Sequence, residues 1–115
     1  MRIEQFEENL GMAWIDALLD DDKNVLQLTL LASGDKVRDD QHYVDVANGV
    51  LEKIERLQGT LTCQFLGAAR LPNAFPMLGF LCGSGKEAYK MHGALSSHFM
   101  DHPHTGYDIR YRNMS

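Results

Sequence analysis

The chain has 115 residues, a net charge of −5, 44% apolar and 23% charged residues. That length fits one domain with an adequate core, and the balance excludes a disordered chain. No apolar run approaches the roughly 18 residues that cross a membrane, and the acidity argues against direct nucleic-acid binding, whose footprint is a basic patch.

The charge is uneven. Through residue 22 there are seven acids (Glu4, Glu7, Glu8, Asp16, Asp20, Asp21 and Asp22) against Arg2 alone, a net of −6, while the remainder carries +1. Residues 3–19 predict an amphipathic helix, because Ile3, Phe6, Leu10, Trp14 and Leu18 recur at spacings of three and four. Gly11 weakens its middle by about 1 kcal/mol. Asp20, Asp21 and Asp22 end it, since anions are repelled by the negative end of a helix dipole.

Asn24 to Ala32 predicts a strand that is apolar on both faces, hence a central one. Ser33 to Lys36 is a turn, and Asp39 or Asp40 can cap the next helix. Its face is Tyr43, Val46, Ala47, Val50, Ile54 and Leu57, and Gly59 terminates it. Thr60 to Leu66 alternates with Leu61, Cys63 and Phe65 inward, and Met77 to Cys82 is the returning strand. The ten residues between them are too many for a tight hairpin. Ser84 and Glu87 have capping-box spacing for a helix whose buried stripe is Ala88, Met91, Leu95 and Phe99. Pro103 follows that helix, and Tyr107, Ile109 and Tyr111 mark the last strand.

The expected fold is α+β: a single domain, 1–115, with an acidic N-terminal helical segment over 1–22 and a ferredoxin-like body over 24–112. That body is βαββαβ, a four-stranded antiparallel sheet with two helices on one face. The other face, with Val25, Leu31, Leu66 and Met77 or Leu81 among Gln27, Thr29, Gln64 and Arg110, is too apolar to stay wet. The leading helix with Trp14, a second copy or a partner must cover it.

The chemistry-bearing motifs are sparse. Gly83-Ser84-Gly85-Lys86 is a strand-to-helix turn able to present N–H groups to an anion, but it lacks P-loop spacing, and Glu87 stands where Ser or Thr is required. His92, His98, His102 and His104 fall within thirteen residues, yet match no standard zinc spacing. No nucleophile elbow is present, and Asp20, Asp21, Asp22 and Asn24 lack the spacing of a calcium loop. Cys63 and Cys82 fit reduced core thiols of a cytoplasmic protein, with a bridge between them open if their strands pair in register.

The expected function is therefore non-enzymatic and needs no cofactor. It is a small acidic protein-binding module, an inhibitor, immunity-type or adaptor protein, that occludes a basic partner such as a nuclease or nucleic-acid-handling protein. The expected contact residues are Arg70, Leu71, Pro72 and Phe75 on the long connection, with Glu4, Glu7, Glu8, Asp20, Asp21 and Asp22 of the acidic segment. The alternative is a homodimeric ferredoxin-like enzyme or small-ligand binder using His92, His98 or His102 in a cleft.

Overall fold

The structure is a computed structural model, and it describes residues 1–31, 40–57, 59, 63–102 and 106–112. The elements in chain order are α1 (Met12–Leu19), β1 (Asn24–Leu31), α2 (Asp40–Arg56), β2 (Cys63–Ala69), β3 (Met77–Cys82), α3 (Gly85–Met100) and β4 (Gly106–Arg112). The four strands form one sheet in the order β2-β3-β1-β4 with every neighbouring pair antiparallel. The expected turn at 33–36, a cap at Asp39, the start of the second strand at 60–62, and His104 all lie outside the described residues.

Alternation divides the sheet into two faces. Leu26, Leu28 and Leu30 stand opposite Tyr111, Ile109 and Tyr107 of β4, and Leu26 and Leu28 stand opposite Phe80 and Leu78 of β3. Together with Ala47, Val50, Leu51 and Ile54 of α2 and Ala88, Met91, Leu95 and Phe99 of α3 they form the main core. Each large side chain removed from water there contributes about 1.5–3 kcal/mol. The helix ends agree with their dipoles: Asp40 opens α2, Lys53 and Arg56 close it, and the Ser84 hydroxyl accepts the Glu87 N–H at the start of α3. Gly59, at φ +104°, takes the backbone conformation that made it a natural stop after α2.

The leading segment departs from expectation. Only Met12–Leu19 is helical, rather than 3–19. The residues before Gly11 form a non-helical strap held by tertiary bonds. Buried Asn48 of α2 accepts the Ile3 N–H at 2.8 Å and donates to the Ile3 carbonyl at 3.0 Å. Further on, the Glu7 N–H donates to Ala68 and the Arg70 N–H donates to Glu7, so the strap pairs in parallel with the free edge of β2. Ile3 and Phe6 pack on the main core, whereas Trp14 is buried on the opposite sheet face. One straight helix cannot serve both sides of a sheet, and Gly11 marks where the chain changes from strap to helix.

The second strand ends later than the expected Leu66: it continues through Gly67, Ala68 and Ala69. A β-bulge between Phe65 and Gly67 explains why alternation did not reveal this extension, and Gly67 at φ +143° supplies the backbone freedom the bulge needs. The connection to β3 shrinks to residues 70–76.

Candidate interaction surface

The second sheet face is covered in part by the chain's own leading helix; Leu31, Leu66, Met77 and Leu81 on that face stay half-buried, and Gln64 and Arg110 are exposed. Trp14 is fully buried against β3 and β2, where two glycines make room for its indole. A methyl group built on Gly79 would stand 2.5–2.8 Å from three indole atoms, and one on Gly67 would stand 3.9 Å from the ring. Its indole N–H is buried without a hydrogen-bond partner among the described residues, and apolar packing holds the ring in place. The far end of α1 is closed by Arg112 of β4, whose guanidinium donates to the carbonyls of Ala17 and Asp20. A cation at the C-terminal end of a helix is favourable.

Docking on the sheet leaves α1 an outer flank on which two apolar side chains are exposed, with the Asp16 carboxylate between them. Trp14 and Ala17 are buried, but Met12 and Leu19, seven residues apart and hence on one flank, are 71% and 78% exposed. Asp16 is the only charge within the helix. Around it the acids are all exposed: Glu4, Glu7 and Glu8 along the strap, and Asp20, Asp21 and Asp22 after the helix. Two open depressions, of about 560 and 380 Å³, lie along the strap, the first lined by Gln5 to Asn9 and Gly11, the second by strap residues with Phe65, Gly67 and Ala68.

The 70–76 loop sits at the root of this surface. Its tip is a tight turn in which the Ala74 N–H donates to the Leu71 carbonyl, with Pro72 second and Asn73, at φ +59°, third. Arg70 is engaged within the fold: its guanidinium pairs with Asp40 and lies 5.9 Å from the centre of the Tyr43 ring. Leu71 is half-buried, Pro76 is buried, and Pro72 and Phe75 are exposed, Phe75 by 46%. The expected contact residues thus fall into two groups. Glu7 and Glu8 adjoin the loop, while Asp20, Asp21 and Asp22 precede the opposite end of β1, roughly 20 Å away at the rise of a strand. The outer flank of α1 joins them.

Of the described candidate histidines, His98 and His102 come together and His92 stands apart from them on Tyr111. The ring of His92 lies beside Tyr111 of β4, its Nδ1 hydrogen-bonded to the phenol oxygen; burial, then Tyr89 and Cys82, pushes that phenol up to about 12. His98 is buried, next to Gly49 of α2, and stacks on His102 at 4.4 Å. Burial, then His102, Lys53 and Arg56, holds the His98 imidazole below its usual range, against an opposing pull from Asp101. Among the described residues no three or more His, Cys, Asp or Glu side chains are grouped to hold a metal.

The feature that sequence reading missed is the outer flank of α1, because a 3–19 helix placed Met12 and Leu19 off a stripe that does not exist as drawn. The shortness of the helix after Gly11 was the available signal. No family model, curated protein or solved structure matches this chain, so the reading rests on the surface itself.

Proposed function

We propose that this chain is a ferredoxin-like βαββαβ domain whose leading helix docks on the sheet's second face and presents a docking surface to another protein. The sheet order and the packing of α2 and α3 on the Leu26-Leu28-Leu30 face support the fold assignment. One observation carries the functional reading: Met12 and Leu19 stay exposed on a helix that already buries Trp14 and Ala17. Large apolar side chains inside a polar rim are the usual anatomy of a protein-binding site.

The rim selects the partner. Glu7, Glu8, Asp16, Asp20, Asp21 and Asp22 are exposed around those two side chains, so a basic surface with an apolar recess complements it. Proteins that handle nucleic acid carry such basic surfaces, and covering one would block its ligand. Inhibitor, immunity-type or adaptor activity by occlusion follows, with Phe75 as an additional apolar contact at the loop.

The test is capture with the tagged full chain from the cells that produce it, beside the double variant Met12→Ser/Leu19→Ser. The expected result is a stoichiometric basic protein that dissociates as salt is raised and is lost from the double variant, whose melting temperature is unchanged. Equal capture by both forms, or a homodimer with no foreign partner, refutes the proposal.

A further inference from the structure

The pairing of β2 with β3 places Cys63 directly opposite Cys82, and the two sulfurs lie 3.3 Å apart as free thiols. Directly opposed antiparallel residues have Cα separations of about 4.5–5.5 Å, within the span a disulfide bridges without moving the backbone. We propose that Cys63 and Cys82 form a redox modification site, a dithiol that a hydroperoxide converts to an intramolecular disulfide and that small thiols restore.

The two sulfurs differ in ways that assign roles. Cys82 is 3% exposed at the end of β3, whereas Cys63 is half-buried at the start of edge strand β2 and is the one a solute reaches. Their shared S–H···S hydrogen bond favours thiolate on Cys63 and holds the proton on Cys82; burial of both and the Glu87 carboxylate oppose ionisation of either. The Cys63 thiolate attacks one peroxide oxygen, an S–O bond forms as the O–O bond breaks, and the other oxygen leaves as water or an alcohol after taking a proton. The Cys82 sulfur then attacks the sulfenic sulfur of Cys63. An S–S bond replaces the S–O bond, the Cys82 proton goes to the departing oxygen, and water is released. Two thiols are oxidised by two electrons in total and one peroxide is reduced.

The product ties the edge strand to its neighbour across nineteen positions of sequence. A bridge of that span restricts the unfolded chain, and a rise of roughly 10 °C in melting temperature is expected.

The experiment treats the reduced full-length protein with one equivalent of hydrogen peroxide, then blocks free thiols with iodoacetamide and reads the intact mass and the linked peptides. The proposal predicts a monomer with neither cysteine alkylated, a single Cys63–Cys82 peptide link, the higher melting temperature, and reversal by dithiothreitol. In Cys82→Ser, dimedone labels Cys63; in Cys63→Ser, dimedone leaves Cys82 unlabelled. Two alkylatable thiols after peroxide, sulfinic acid at Cys63, disulfide-linked dimers as the main product, or the reverse dimedone pattern would each overturn it.

Discussion

Gly79→Ala isolates the contact that docks α1 on the sheet's second face. An alanine methyl would stand 2.5 Å from the nearest indole atom of Trp14, where ordinary contact begins near 3.4 Å, so the ring must retreat by about an ångström. The indole is fully buried, and side chains forced off their seats in a packed core cost roughly 1–3 kcal/mol. If the ring leaves altogether, the loss approaches the 3–5 kcal/mol of an aromatic truncation. The intrinsic preference runs the other way, since alanine stabilises a strand interior by about 0.5–1 kcal/mol relative to glycine. The net expectation is destabilisation by up to roughly 2.5 kcal/mol if the ring shifts and roughly 2–4.5 kcal/mol if it leaves. Trp14 is the only tryptophan, so its emission reports α1 docking in the same urea titration that gives stability. A red-shifted native spectrum with a lower midpoint is expected. A variant as stable as the parent with unshifted emission would refute this packing.

Gly93→Ala is the companion control. A methyl there on α3 meets nothing within 4 Å among the described residues, so stability should rise by up to about 1 kcal/mol in the same titration. Asn48→Ala leaves both Ile3 backbone groups without their partner; a loss of about 1–3 kcal/mol, with faster amide exchange over the strap, is expected. His98 supplies a pH dependence with a definite sign. Its folded value lies below the ordinary 6.5, so the unfolded chain binds the proton first. Stability is therefore full above about pH 7.5 and falls as pH drops through 6.5 toward the folded value. Thermal melts of His98→Gln should show a flatter acid limb than the parent, and an identical limb would remove His98 from the account.

Most of the body was legible because its elements obey simple periods. Leu26, Leu28 and Leu30 alternate on β1, and Ala88, Met91, Leu95 and Phe99 repeat on α3; all seven are buried where those periods put them. The leading segment was not legible, because Ile3, Phe6 and Trp14 satisfy helical spacing by coincidence while serving opposite sides of the sheet. What decides their fate is long-range: the two bonds from Asn48, the edge pairing at Glu7 and the space above Gly79. Gly67 read as the start of a loop for a similar reason, since a bulge interrupts the alternation that would have continued the strand. Of the candidate site, the acidity and Phe75 could be read from the chain. The apolar flank of α1 needed the true start of the helix, and the commitment of Arg70 to Asp40 and Tyr43 needed the coordinates.

The central claim is that the outer flank of α1 meets a partner while its inner flank holds the sheet. Amide hydrogen exchange of the free chain and of the captured complex tests it most directly. Added protection on binding should concentrate over residues 7–22 and the 70–76 loop, with the backs of α2 and α3 unchanged. Protection centred on α3 and β4, or none at all in α1, would contradict it.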